Sequence, residues 1–587
     1  MQKTLTFCLL LSLASHWALA QNANPLYLQT SEMANQMVQY DADKGSIMRF
    51  YATSNPMEFR GQGSSYNSPE RRQRLLGLIT ANLKQLESVD FDKMNVNGKV
   101  DYLLFKRNLE DEQYQLQAEQ KNYDQIVQHL PFSDHIYTLI KSRNRGQSVN
   151  GQEVAKAMND ILNEVKQTNG KLKAVEPFDQ NLANLASEAV KGMQAILKSY
   201  YNFYNAYDPL FSWWVPKTYT SLDAELETYA KGLAGKGKST STQKDDGSGI
   251  VGKPIGREEL IRQLKLEFIP YTPDELIDIA NKEFAWCDAE LLKASKEMGF
   301  GNDWKAAQEK VKNSFVPPGQ QPEAMLELYD QSVAFLKKYD LVTIPPIAEE
   351  TWRVNMMSAE RQLVSPFFLG GESLIISYPT PTMSYDEKMM SMRGNNPHFS
   401  RATVHHELIA GHHLQGFMNN RNKTYRKFGT PFWHEGNALY WEFLLWDMKF
   451  PSSPEDRIGM LFWRMHRCAR IIFSLNYHLG EWTPQQCIDF LVDRVGHERA
   501  NAEGEVRRSF TGNYGPLYQL AYMVGGLQFY ALKKELVDSK KMSIKQYHDA
   551  ILQENALPVE MLRAILTNQN LKKDFKTQWR FYDKTKP

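Results

Sequence analysis

Cysteine is scarce in this chain, with 4 among 587 residues. One of them, Cys8, falls in the first twenty positions, leaving Cys287, Cys468 and Cys487. Those three spacings fit neither a zinc knuckle nor a redox pair. At most one disulfide is possible, and buried thiols are the expectation. Net charge is nearly absent as well: 69 basic and 68 acidic residues leave +1. A dedicated nucleic-acid binder would carry a basic excess or stripe, and no nucleic-acid-binding motif is present, so no nucleic-acid partner is expected. Beyond residue 20 no segment reaches the ~18 uncharged apolar residues that cross a bilayer, so no membrane span is expected. Strand-like runs are few, the best being Ser373 to Tyr378, closed by Pro379. There is no internal repeat. With 42% apolar and 23% charged residues, the composition is that of an ordinary globular protein able to bury its own core without staples.

The first twenty residues differ from the rest. Lys3 precedes a mostly apolar run from Leu5 to Leu13, and Ala18-Leu19-Ala20 supplies the small residues a signal peptidase reads before Gln21. This is the pattern of a secretory signal peptide, and an exported, periplasmic or secreted, protein is expected. Cys8 sits inside the apolar run, ahead of the cleavage site, and is not expected to carry a lipid.

Helical signals dominate the remainder of the chain. Thr272-Pro273-Asp274-Glu275 and Thr483-Pro484-Gln485-Gln486 are capping boxes with proline in the first turn, and Ser453-Pro454-Glu455 opens another helix. Leu75, Leu76, Ile79, Leu83 and Leu86 recur at helical spacing. Residues 236–252 are rich in Gly, Ser, Thr and Lys. They read either as a flexible linker between an N-terminal helical lobe (21–235) and a catalytic lobe (253–587), or as a long surface loop within one domain.

Four of the 13 histidines lie in nine residues, His405, His406, His412 and His413, with Glu407 among them. Zinc peptidases of the HExxH type place two imidazoles one helical turn apart around a general-base glutamate, with a third ligand from a later helix. Here the fourth residue after His406 is Ala410, and the next histidine is His412. On an ideal helix those two side chains diverge, with a rise of about 9 Å between them. Pairing His406 with His413, or His405 with His412, restores one face but separates the rings by roughly 10 Å, too far for one ion. The segment must therefore bulge or unwind, most cheaply at Gly411. His406 and His412 are the expected ligands of one Zn2+ per chain, with His413 in reserve. Glu435, on the helix that reads EGNALYWEFLLWD, is the expected third ligand, and Glu442, two turns on, is placed to orient a histidine.

At these residues the chain resembles the bacterial family called domain of unknown function 885. That family carries His-Glu-x-x-Pro-Gly-His-His-Leu-Gln followed by Glu-Gly-Trp-Ala-Leu-Tyr-x-Glu; this chain reads HELIAGHHLQ from His406 and EGNALYWE from Glu435. The likeness extends over most of the mature chain and includes Arg467, Arg470, His478 and Trp482. The family looks like a remote relative of the gluzincin peptidases. The angiotensin-converting-enzyme group reads His-His-Glu-x-Gly-His and then Phe-His-Glu, as this chain has His405-His406-Glu407 and Trp433-His434-Glu435. The resemblance implies a mainly α, two-lobed, zincin-like (gluzincin) fold with a deep central cleft and little β-sheet, hydrolysing peptides or amides. Ala410 and Asn437 depart from the family's proline and tryptophan. Near the C-terminus Pro516 and Tyr522 fit, but Thr511-Gly512 stand where the family has Arg-Tyr, and Leu517-Tyr518 where it has Gly-Gln.

The expectation is thus an exported zinc metallopeptidase acting on short peptides. Zinc-activated water attacks the scissile carbonyl, and Glu407 moves the proton. Tyr514, Tyr518, Tyr522 or His478 is the candidate oxyanion donor. Arg467 and Arg470 either bind a substrate carboxylate or pair with a core glutamate. A hydrolase of non-peptide amides or esters, or a binding protein on a peptidase scaffold, are the rival readings.

Overall fold

In a computed structural model, residues 30–52, 68–238, 245–362, 369–512 and 514–584 are described. The signal sequence expected at residues 1–20 lies outside them. Helices dominate. Among the described residues the only strand pairs are two short parallel ones: β1 (Phe178–Asp179) with β2 (Gly237–Lys238), and β3 (Arg353–Met356) with β4 (Ser373–Ile376). The last of these is the run expected from sequence, cut short before Pro379.

The helices that frame the two units are α1 (Gly151–Leu172), α2 (Gln180–Tyr204), α3 (Pro209–Trp214), α4 (Pro216–Ala234), α5 (Pro273–Glu297), α6 (Pro397–Glu407), α7 (His412–Asn419), α8 (Pro431–Asp447), α9 (Pro454–Leu479), α10 (Arg499–Thr511) and α11 (Tyr518–Lys533). Their starts obey local chemistry. Thr272 caps α5 in a complete capping box with Glu275, Thr483 does the same with Gln486 for the next short helix, and Ser453 Oγ accepts from Asp456 N at the head of α9. In each, a side chain satisfies backbone N–H groups that a helix start leaves without partners.

The chain divides into two compact units, one of residues 35–90 and 104–244, the other of residues up to 34, 91–103 and 245 onward. The main boundary falls inside the segment read as a linker or loop. Residues 91–103, expected with the N-terminal lobe, belong instead to the larger unit, for an electrostatic reason. Asp101 is fully buried and accepts from Arg426 Nε at 2.7 Å and Ser31 Oγ at 2.6 Å, while Asn97 Oδ1 accepts from Lys423 and Arg426 at 2.8 Å each. Buried polar groups need such partners, and these bonds hold the segment where Arg426 lies. The smaller unit closes around Ile136, Ile140, Met158, Val165, Val190, Ile196, Phe211, Leu222, Leu226 and Tyr229.

In the larger unit α9 is buried along most of its length. The three cysteines are buried free thiols. No helix among the described residues is long and apolar enough to cross a membrane.

Candidate metal centre

Helix α6 begins at Asn396, whose side chain accepts from the N–H groups of His398 (3.1 Å) and Phe399 (3.0 Å), with Pro397 in the first turn. Trp463 Nε1 of α9 donates to Phe399 O at 3.0 Å and anchors it. The helix stops at Glu407, because Leu408 takes φ −111°, ψ −104°. The chain resumes as α7 at His412, directly after Gly411 at φ −89°, ψ −135°. Gly411 N donates to His405 O at 2.9 Å, and a Cβ at 411 would fall on the His406 carbonyl. Only glycine passes that close. The helix is therefore interrupted over 408–411, and His412 swings back towards His406.

The two imidazoles come to 4.9 Å between ring centroids, with planes at 88°. His406 Nε2 and His412 Nε2 each lie 3.3 Å from the same oxygen, Glu435 Oε2. Atoms of His406, Glu407 and His412 that could ligate a metal all lie within 4.8 Å of one another. By distance alone either carboxylate could join an ion; Glu435 is the one in contact with both imidazoles. His406 Nδ1 donates to Glu442 Oε1 at 2.8 Å, which leaves Nε2 facing Glu435.

The charges around these groups are closely matched. Burial disfavours a charged His412, but Glu435 and Glu407 outweigh it and push its pKa up to about 9. His406 is raised in the same way, against burial, by its hydrogen bonds to Glu435 and Glu442. Burial would lift the Glu435 carboxyl, yet His412 and His406 hold it well below the ordinary carboxylate range. The protein has thus built a buried carboxylate that demands positive charge at the two Nε2 positions.

Glu435 is carried by α8, which starts at Thr430-Pro431 with Thr430 as cap. Helix α11 crosses α8 glycine to glycine: a Cβ on Gly436 would stand 2.5 Å from Gly525 Cα. That close approach sets Tyr518 and Tyr522 of α11 beside the carboxylate. Tyr518 donates a short hydrogen bond to Glu435 Oε1. The Tyr522 ring lies 6.1 Å from that of His406, nearly parallel, with the guanidinium carbons of Arg467 and Arg470 at 4.4 and 4.3 Å from it. Tyr514 packs on Tyr518 at 4.3 Å, with Arg508 5.2 Å from its own ring.

Other expected residues fall elsewhere. His413, held in reserve as a ligand, has its Nε2 engaged instead, donating to Ala348 O at 2.7 Å. His405 is buried edge-on to Phe450, and burial lowers its pKa to about 4. His478 lies eleven residues past Arg467 on α9, a rise of roughly 16 Å, among Tyr477 and Phe510. It is a core histidine, lowered to about 4 by burial alone. Of the arginines, Arg470 Nε is bonded to Glu505 at 2.7 Å, the glutamate pairing left open from sequence. Arg467 reaches Glu442 only at 3.8 Å, and its buried Nε has no hydrogen-bond partner.

Two contributors were not singled out from sequence. Gln415 Oε1 sits 3.2 Å from His412 Nδ1, while its Nε2 donates to His434 O and Asn437 Oδ1 at 3.1 Å each. Its position three residues after His412, one turn along the same face, was the signal that could have found it. Asn437, where the family has tryptophan, is the acceptor that orients this amide. The other is Glu505, buried between Arg470 and Arg508, which no local pattern marks.

Comparisons with known proteins agree on fold and family. No curated protein matches the chain. Among the solved structures that resemble it are two described as lipoproteins. A "putative lipoprotein of unknown function" from Shewanella oneidensis is 16% identical, with TM-score 0.66, over 91% of this chain and 99% of that one. A "putative lipoprotein" from Colwellia psychrerythraea is 15% identical, with TM-score 0.57, over 91% and 98%. At such identities the likeness speaks for the fold alone. The sequence pattern described as "Bacterial protein of unknown function (DUF885)" matches residues 60–566, most of the length, and the chain belongs to that family.

Proposed function

We propose that the chain is an exported zinc-dependent hydrolase of gluzincin-like architecture, a metallopeptidase that cleaves short peptides. The observation that carries this reading is the convergence of His406 Nε2 and His412 Nε2 on one oxygen of Glu435, with the Glu407 carboxylate beside them. Two imidazoles and a carboxylate are a donor set that suits zinc with an open position. The fit extends outward: His406 Nδ1 is fixed by Glu442 and His412 Nδ1 by Gln415, which turns both Nε2 lone pairs inward. His406, His412 and Glu435 would hold the ion.

When bound, zinc supplies a water of lowered pKa, towards ~7, and polarises the scissile carbonyl. Glu407 adjoins the ligands without being needed as one, and it takes the water's proton and returns it to the leaving amine. Tyr518 holds Glu435 in place. Tyr522, beside His406 and under two guanidinium groups, donates to the oxyanion. Export rests on the N-terminal pattern, and the description of both structural neighbours as lipoproteins accords with it.

The test is digestion of a defined peptide mixture by the purified protein, with and without chelator, beside Glu407→Gln. The expected outcome is cleavage that chelator abolishes and zinc restores, while Glu407→Gln retains zinc and loses at least ~100-fold in turnover. Cleavage unchanged in Glu407→Gln would refute the role of that residue, and ester or acyl-amino-acid turnover without peptide cleavage would favour the non-peptide hydrolase.

A further inference from the structure

The smaller unit carries a surface that the proposed hydrolysis does not use. Five of the 15 exposed large hydrophobic side chains among the described residues fall within twelve positions: Phe203 (56% exposed), Tyr207 (82%), Leu210 (67%), Trp213 (80%) and Trp214 (44%). Scattered apolar side chains are normal on a surface, but such a concentration marks a contact site. Both tryptophans that rank as exposed are in this group.

The group is built rather than loose. Between α2 and α3 the chain turns at Ala206 (φ 69°), whose N–H donates to Ser212 Oγ at 2.7 Å. Asp208 caps α3 through Phe211 N at 2.8 Å. Phe211 and Val215 are fully buried, and Phe211 packs against Tyr200 and Tyr204. Anchored by these two inward residues, the short helix holds Leu210, Trp213 and Trp214 outward.

Basic side chains lie near it in space or along the chain. The Arg143 guanidinium lies 5.2 Å from the Phe203 ring, Arg145 is exposed two residues on with its guanidinium 5.0 Å from the Phe50 ring, and Lys217 is exposed in the first turn of α4, three residues past Trp214. Of the acids, Asp208 is engaged as the cap of α3, and Glu153 lies in the first turn of α1. Tryptophan and tyrosine are the side chains that settle at the boundary between water and lipid, having an apolar body and a polar edge. Lysine and arginine beside them meet anionic headgroups.

We propose that this tip, Phe203 to Trp214 with Arg143, Arg145 and Lys217, seats the protein reversibly on an anionic membrane surface. No helix among the described residues spans a membrane, so the contact is peripheral. It is independent of the metal centre.

The test is co-sedimentation of the full chain with phosphatidylglycerol-containing vesicles and with purely phosphatidylcholine vesicles. It is run for the unaltered protein, for the triple variant Tyr207→Ser, Leu210→Ser, Trp213→Ser, and for Arg145→Glu with Lys217→Glu. All five positions are exposed, so the variants should keep the native circular dichroism and melting temperature. The expected result is binding to the anionic vesicles that weakens with salt and falls about tenfold or more in either variant, with little binding to the neutral ones. Absence of binding by the unaltered protein, or equal binding by the triple variant, overturns the proposal. Sedimentation velocity on the same samples supplies a further refuting outcome: a dimer that the triple variant abolishes, in a protein indifferent to vesicles, would assign the tip to a second copy of the chain.

Discussion

Replacing Glu442 by glutamine probes the centre through a residue that need not touch the metal. Glu442 is 4% exposed, accepts from His406 Nδ1 at 2.8 Å and stands 3.8 Å from Arg467 Nη2. Glutamine keeps the shape and an acceptor oxygen but removes the charge. A hydrogen bond to a charged group contributes about 1.5–3 kcal/mol and a neutral one about 1 kcal/mol. The difference, on the order of 1–2 kcal/mol, corresponds to a zinc affinity about 5- to 30-fold weaker, overlapping the range usual for groups that orient a metal-bound histidine. The same change removes the carboxylate charge 3.8 Å from Arg467, which is buried and already has one unpartnered N–H. Breaking a buried pair costs about 3 kcal/mol or more. Two readouts are therefore expected together: a weaker zinc Kd in competition with a chromogenic chelator, and a lower melting temperature of the metal-free protein. A variant that melts lower yet binds zinc as tightly as the unaltered protein would refute the reasoning, since Glu442 would then be a structural counter-ion and nothing more.

Further predictions concern ligand choice, packing and acid stability. His412→Ala should abolish stoichiometric zinc by elemental analysis, whereas His413→Ala should keep it and lose only about 1 kcal/mol of stability with the hydrogen bond to Ala348; the reverse pattern would exchange their roles. Gly525→Val drives a side chain into the α8 backbone, where a Cβ at 525 would stand 2.8 Å from Gly436 Cα. It should cost about 1–3 kcal/mol in chemical denaturation and weaken activity through Tyr518 and Tyr522; an unchanged denaturation midpoint would contradict the glycine crossing. Burial would raise the Glu505 carboxyl, but Arg470 and Arg508 hold it at about 2. Its folded pKa lies below the unfolded value, so its contribution, on the order of 3 kcal/mol, is present above about pH 4.5 and is lost as pH falls towards 2. Glu505→Gln should flatten that part of the stability profile, and an identical acid transition in the variant would refute the assignment.

Local chemistry was legible in the sequence and long-range pairing was not. The starts at Thr272, Ser453 and Thr483 could be read because a cap and its partner lie within three residues. The break after Glu407 could be read because helical geometry forbids His406 and His412 from meeting without one. The positions of Glu442 and Gln415 obey helical spacing once the helices are drawn, although only the first was assigned a task. By contrast, Asp101 belongs with Arg426, 325 positions away, and Gly436 belongs with Gly525. Neither pairing leaves a periodic trace in either segment. His478 had chemistry to recommend it, but its place on α9 puts it in an aromatic core.

Zinc K-edge X-ray absorption on the protein loaded with one equivalent of zinc tests the central claim most directly. Two imidazole nitrogens at about 2.0–2.1 Å and oxygen ligands at about 2.0–2.2 Å are expected, one imidazole disappearing in His412→Ala. A spectrum without imidazole scattering, or one that His406→Ala and His412→Ala leave unchanged, would contradict the account.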